Sequence, residues 1–218
     1  VTTLFLLLSG YFFYNLLGYF NLESLRAMQS PMQARMLSLT SSVLAPLFGN
    51  MSSVLLLMLP LLTMRLFAEE RRSGSAELLF TYPVSDAQVI LAKFLAAVTV
   101  HACMLLMTLP FPALLYYFAH PETGAIISGY LGLFLMGVSF IAMGVFFSAL
   151  TDSQLVAGAL TFGCALLFLV IGWITPFVGS GAAAVLSQLS MVKHMEAMAR
   201  GVIDTNDLLF YVILTVFF

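Results

Sequence analysis

The chain has 218 residues, of which 61% are apolar or aromatic and only 8% are charged. A soluble globular domain carries roughly 25% charged residues, so this composition argues against a soluble protein, a disordered chain and a nucleic-acid-binding protein. Its 20 Phe and 8 Tyr residues and its mean hydropathy of +1.05 are typical of a protein solvated by lipid. The net charge of -2 does not favour any particular class of partner. Cys103 and Cys164 lie in apolar stretches that suggest neither a disulfide framework nor a metal site.

The few charges divide the chain into long apolar stretches. A transmembrane helix needs about 20 predominantly apolar residues, and five stretches free of Asp, Glu, Lys and Arg are long enough. A sixth begins near the end. Because every backbone polar group within lipid must be hydrogen-bonded inside the protein, we predict an all-α polytopic membrane protein. It forms one transmembrane domain over 1–218. The predicted spans are at about 1–20, 43–67, 87–118, 125–150, 155–175 and from 207 onward.

The first and last apolar stretches look incomplete. The first starts without a polar leader, and the last has only the residues 208–218. We therefore expect a fragment whose first and last spans are truncated. A cleavable signal peptide is the alternative for the first stretch, although a basic leader and an Ala-x-Ala exit are missing there.

The loops between these spans leave the orientation open. The long loops 21–42 and 176–206 lie on one side, and the segment 68–86 lies on the other. Each side carries four Lys or Arg residues, so the positive-inside rule does not decide. The higher density of basic residues around 68–86 favours that side as cytoplasmic.

Three local signals refine the spans. Prolines at positions 46, 60, 110 and 112 are expected to kink helices rather than end them. Ser85 and Gln88 have the spacing of a capping box that opens the third span. Lys93 lies about two turns into that span, from where its amine can reach back to the interface.

The segment 65–77 holds six of the eighteen charges in thirteen residues. Acidic and basic residues are interleaved along it. We also predict a helical turn at 77–79, which ends before Pro83. A short charged helix between two spans could dock into a groove of a soluble partner, with ion pairs at the rim. A solvated loop that only marks the membrane edge explains the same residues equally well.

Residues 183–200 predict an amphipathic helix that lies in the outer interface or folds into it. Its apolar residues recur at spacings of three and four, and Glu196 and Arg200 can form an i,i+4 ion pair. Gly201 stands where a helix C-cap would be, and Asp204 or Asn206 would cap the last span.

The residues from Glu69 to Leu79, followed by Pro83-Val84-Ser85 and by Lys93, resemble the first cytoplasmic loop of ABC-2 type transporter permeases. The pattern of that family is roughly E-E-[KR]-x-x-G-T-x-E-x-L-L, then P-V-S, then a Lys early in the next span. Ser75 stands where Thr is usual. The later stretch Ser187-Gln-Leu-Ser190-x-x-x-His194-x-x-x-x-x-Arg200-Gly201-Val-Ile-Asp204-x-x-Asp207 is similar to the subgroup that contains GldF, of gliding motility, and NosY, of nitrous oxide reductase maturation.

This resemblance implies a six-span permease subunit, with the fold of ABC-2 or type V exporters, in a bacterial plasma (inner) membrane. It implies a coupling helix in the loop 68–86 that contacts the ATPase subunit, and a re-entrant hairpin before the last span that bends at 179–181. The candidate ATPase-interface residues are Glu69, Glu70, Arg71, Arg72, Gly74, Glu77 and Pro83. The candidate residues of the outer interfacial helix are His194, Glu196, Arg200, Gly201, Asp204 and Asp207.

The implied partners are an ABC ATPase subunit, a second permease subunit that is identical or related, and the lipid bilayer. An accessory protein with an extracytoplasmic domain is a further candidate, and nucleic acid is not expected. The sequence lacks the Gly-Lys-[Ser/Thr] of a nucleotide-binding P-loop, so we predict no enzymatic activity and no cofactor on this chain, with ATP and Mg²⁺ bound by the partner.

Two other functions stay open. One is a non-transporting membrane scaffold whose outer loops bind an envelope protein. The other is an ion-coupled carrier, which is disfavoured because all ten acidic residues fall in predicted loops or at span ends, whereas carriers place such groups within spans. No catalytic or metal-binding residue is predicted, and His101 is expected to be a buried helix-contact residue.

Overall fold

The computed structural model describes residues 1–27, 38–74, 85–119, 121–177 and 179–218. Every regular element in these ranges is helical, as the sequence predicts. The helices are α1 (Thr2–Ala27), α2 (Ala45–Thr63), α3 (Ala68–Ser73), α4 (Asp86–Leu106), α5 (Pro110–Ala119), α6 (Thr123–Leu150), α7 (Gln154–Ile174), α8 (Ser180–Gln188), α9 (Met191–Ala199) and α10 (Thr205–Phe217). A π-helical turn at Thr40–Leu44 leads into α2, and a 3-10 turn at Thr175–Phe177 follows α7.

Five helical segments in the described ranges are long and apolar enough to cross a membrane. They are Thr2–Arg26, Thr40–Ser73, Asp86–Tyr117, Thr123–Leu150 and Gln154–Ile174, and they coincide in position with the first five predicted spans. The sixth predicted span corresponds to α10, which is apolar but only 13 residues long. The chain is therefore a multi-pass membrane protein, and the count of six spans stays a prediction.

The helix boundaries follow local signals in the sequence. Ser85 and Gln88 form the predicted capping box at the start of α4. Pro110 separates α4 from α5 by a short turn, in which the Thr108 hydroxyl donates to the Leu105 carbonyl at 2.7 Å. The two helices still form one candidate span, and Pro60 lies inside α2. Neither proline ends a candidate span, and the expected kinks stay a prediction.

Helix α6 is the centre of the bundle, with α2, α4, α7, α9 and α10 packed around it. Small residues on α6 allow this close packing, because they leave room for large side chains of the neighbouring helices. The Phe48 ring lies against Gly129, His101 against Gly137 and Thr63 against Gly144.

Helix α6 also connects the two ends of the bundle. Its 28 residues span about 42 Å at 1.5 Å per residue. Its first turns contact α9, and its last residues contact α3. We call these two ends of the bundle the hairpin end, after the predicted re-entrant hairpin, and the α3 end; the hairpin end carries α8 and α9.

The predicted helix over 183–200 is wrong in one respect, because the structure divides it into α8 and α9. Ser190 adopts an extended backbone conformation, and its hydroxyl accepts from the Lys193 amide at 3.4 Å. The serine thus acts as an N-cap that starts a new helix. Beyond α9, Gly201 has the positive φ of +94° that favours glycine. Asp204 caps α10 by accepting from the Asn206 amide at 3.2 Å, and these two predictions are confirmed.

The contact between α2 and α6 predicts the effect of a single methyl group. A Cβ atom added at Gly144 would lie 2.5 Å from the Thr63 Cβ, so Gly144→Ala should lower the free energy of unfolding by about 1–3 kcal/mol through overpacking. Denaturant unfolding in detergent micelles measures this change. The matched control is Gly163→Ala on α7, where nothing lies within 4 Å of the added atom. Equal stability of the two variants would contradict the packing described here.

Candidate functional site

The chain breaks its helical hydrogen bonding between α2 and α3, and one hydroxyl from α6 spans the break. The Ser148 hydroxyl accepts from the Phe67 amide at 3.0 Å and from the Ala68 amide at 3.1 Å. The same hydroxyl donates to the Met64 carbonyl at 3.2 Å. A serine hydroxyl has one hydrogen to donate and two acceptor positions, so Ser148 uses its whole capacity on this break. Both Ser148 and Ala68 are fully buried.

A lysine from α4 secures the other side of the break. The Lys93 amine donates to the Leu66 carbonyl and to the Glu70 carboxylate. It also lies 4.2 Å from the centroid of the Phe67 ring, within the range of a cation–π interaction. Only 18% of the Lys93 side chain is exposed. The amine therefore binds α3 instead of reaching into solvent.

Arg71 provides a third attachment of α3. The Arg71 guanidinium donates to the Ala149 carbonyl near the end of α6, at 2.8 Å. It also lies 3.7 Å from the Asp152 carboxylate in the turn between α6 and α7. Three of the six residues of α3 are thus tied to other helices, Ala68 through its amide and Glu70 and Arg71 through their side chains.

The outer face of α3 is charged and exposed. Glu69 and Arg72 are exposed, and within the described ranges they form no ion pair. Gly74 ends the helix with a φ of +73°, a conformation that glycine adopts without strain. The candidate residues Glu77 and Pro83, and the predicted turn at 77–79, lie outside the described residues.

The structure separates residues that the sequence grouped together. The sequence assigns Glu69, Glu70, Arg71 and Arg72 alike to a partner, whereas only Glu69 and Arg72 are left without an attachment inside the described chain. Sequence reasoning did not assign a role to Ser148. Its spacing from Gly144 is a small-xxx-small signal, but such pairs are common in apolar spans and do not reveal a contact 80 residues away.

At the hairpin end, His194 of α9 is held from several sides. Its Nδ1 atom lies 2.5 Å from the Asp207 carboxylate of α10, and its Nε2 atom lies 2.9 Å from the Gln188 carbonyl at the end of α8. The ring stacks on Phe210 with 4.3 Å between the ring centroids. His194 therefore joins three consecutive helices.

The surroundings of His194 are buried. Asp207 is 7% exposed, and its Oδ2 atom has no hydrogen-bond partner in the described part of the chain. The Tyr211 hydroxyl, also buried, donates to the Met191 carbonyl at 3.1 Å. Near the end of α9, the Ser128 hydroxyl of α6 donates to the Met198 carbonyl at 2.6 Å. Helix α9 is thereby fixed to α6 and to α10.

The polar face of α9 is open to its surroundings. Glu196 and Arg200 form the predicted ion pair, and Glu196 borders a cleft of about 190 Å³ between α2, α6, α7 and α9. The candidate residue Gly201 lies against Ala125 at the start of α6. The six outer candidate residues thus fall into an exposed ion pair, a buried pair and two helix-end residues.

The described ranges contain no group of three His, Cys, Asp or Glu side chains that could bind a metal ion. His101 is fully buried, its Nε2 atom lies 3.3 Å from the Leu133 carbonyl, and its ring stacks on Phe134. These contacts between α4 and α6 confirm that it is a helix-contact residue.

The buried pair at the hairpin end predicts a difference between two carboxylates. Asp207→Ala leaves the His194 Nδ1 atom without its carboxylate partner and should cost about 1–3 kcal/mol of local stability, seen as faster hydrogen exchange of the amides of 191–199. Glu196→Ala removes only an exposed pair on the same helix and should cost about 0.3–0.5 kcal/mol. A double-mutant cycle with His194→Ala isolates the coupling. If Asp207→Ala accelerates exchange no more than Glu196→Ala does, the pair does not fix α9.

Comparison with known protein families places most of the chain in one of them. The family model described as ABC-2 family transporter protein matches residues 17–199. No curated protein and no solved structure matches the chain.

Proposed function

The chain belongs to the ABC-2 family of transporter proteins, and we propose that it is a permease subunit of an exporter that a separate ABC ATPase drives through α3. Membership indicates a membrane permease of an ABC transporter that works with an ATPase subunit. The direction of transport and the site of contact with the ATPase are parts of the proposal.

The observation that carries the proposal is the division of α3 into an attached face and a free face. Glu70 and Arg71 hold the helix to α4, α6 and the turn after α6. Glu69 and Arg72 are an exposed acidic and an exposed basic residue that form no ion pair within the described ranges. A rigidly held helix with exposed charges of both signs can dock into a groove of complementary charge. A solvated loop that only marks the membrane edge would need no such attachments.

In the proposed complex, transport and ATP hydrolysis belong to different subunits. The membrane domain of this family is not itself catalytic, and the sequence has no P-loop motif. ATP and Mg²⁺ therefore bind to the partner ATPase, which hydrolyses the nucleotide in the cytoplasm. In this proposal, the α3 end lies at the cytoplasmic face and the hairpin end at the extracytoplasmic face, where α8 and α9 form the re-entrant hairpin.

The remaining details follow the similarity of 187–207 to the subgroup of GldF and NosY. We propose a bacterial inner-membrane assembly with two permease subunits, identical or related, and an accessory protein that has an extracytoplasmic domain. Exposed residues at the hairpin end, including the pair of Glu196 and Arg200, would then face that protein or the exit of the pathway.

The test reverses the two exposed charges of α3. The double variant Glu69→Lys with Arg72→Glu keeps the net charge and breaks complementarity, so the Kd for the co-expressed ABC ATPase subunit should rise roughly tenfold. Binding is measured with the permease in lipid nanodiscs. The matched control is Glu196→Lys with Arg200→Glu, which reverses an exposed pair at the other end of the bundle.

Three outcomes contradict this proposal. One is an unchanged Kd for the α3 variant, and another is an equal loss in the control. The third is a wild-type chain that binds no ATPase subunit, which would favour a scaffold or an ion-coupled carrier.

A further inference from the structure

The break between α2 and α3 is held from outside these two helices. No direct helical bond joins the Phe67 and Ala68 amides to α2; both donate to Ser148 on α6. The Leu66 carbonyl accepts from Lys93 on α4. The orientation of α3 therefore depends on bonds from α4 and α6 as well as on the short connection to α2, in which the Leu66 amide donates to the Thr63 carbonyl at 3.1 Å.

The side chains of Ser148 and Lys93 direct nearly all of their hydrogen-bonding groups to the break between α2 and α3. Ser148 accepts two hydrogen bonds and donates one, and all three partners lie between residues 64 and 68. Lys93 contacts a carbonyl, a carboxylate and the face of a ring between residues 66 and 70. Such hydrogen bonds gain strength where water is scarce, and an unpaired group there is costly.

We propose that Ser148 and Lys93 are positioning residues that clamp α3 onto α6 and α4. Movement that an ATPase imposes on α3 then passes to the central helix of the bundle, and the break at 64–67 does not absorb it. This inference rests on the proposed function. It goes further, because it assigns the transfer of movement to two side chains that do not lie on the exposed face of α3.

The experiment uses the full chain in nanodiscs with its co-expressed ABC ATPase subunit. Ser148→Ala removes all three bonds and should lower ATP turnover of the complex about five- to tenfold, while the Kd for the ATPase changes less than about threefold because Glu69 and Arg72 remain. Hydrogen exchange of the amides of 64–74 should rise in the same variant. Thr99→Ala is the matched control, because the Thr99 hydroxyl donates only to the Leu95 carbonyl of its own helix.

A charge swap tests the lysine in a way that a general loss of folding cannot imitate. Lys93→Glu and Glu70→Lys should each lower ATP turnover, and the double variant, which restores an opposite pair, should recover at least half of the lost turnover. The swap also keeps the inference testable where Ser148→Ala does not fold. Recovery of turnover with unchanged ATPase binding supports the clamp.

Several results would overturn the inference. These are full turnover in Ser148→Ala despite faster exchange at 64–74, no recovery in the swapped pair, and loss of ATPase binding in proportion to loss of turnover. Binding of the ATPase to the wild-type chain is measured first, so failure of the proposed function is seen separately. If that binding is absent, both the proposed function and the clamp fail.

Discussion

A helix that ends or breaks near a membrane leaves peptide groups without partners, and lipid offers no water to pair with them. This constraint organises the whole chain. At several interruptions in the described ranges, a polar side chain from another element supplies a missing bond. Ser148 serves the break before α3, and Arg71 binds the Ala149 carbonyl near the end of α6. At the opposite end, His194 lies beside the Gln188 carbonyl, and Ser128 donates to the Met198 carbonyl. The scarce polar residues therefore mark the joints between helices.

The same constraint explains why the two candidate sites differ. At the α3 end, the joint leaves one charged face of α3 exposed, which suits a soluble partner. At the hairpin end, the pair of His194 and Asp207 is turned inward, and the exposed pair of Glu196 and Arg200 lies on the opposite face of α9. Small residues on α6, such as Gly144, bring the neighbouring helices close enough for these bonds to form. One central helix thus relates the two ends.

Much of this architecture is readable from the sequence, because it depends on local patterns. Apolar stretches between charges located five helices, and the cap residues Ser85, Gly201 and Asp204 marked helix ends correctly. The division between α8 and α9 was missed, because apolar periodicity continues through Ser190 while the backbone does not. The pairing of Ser148 with the start of α3 could not be predicted, because it joins residues 80 positions apart and depends on how α2 and α6 pack. The contact between the exposed face of α3 and an ATPase subunit stays a prediction.

The central claim is that the exposed face of α3 contacts an ABC ATPase subunit in the cytoplasm. Site-specific photo-crosslinking in intact cells tests it most directly, with a photoreactive amino acid placed at position 69 or, for comparison, at position 204. Position 69 should form a covalent adduct with the co-expressed ATPase subunit, and position 204 should not. An adduct of the ATPase with position 204, or none with position 69, would contradict contact between α3 and the ATPase.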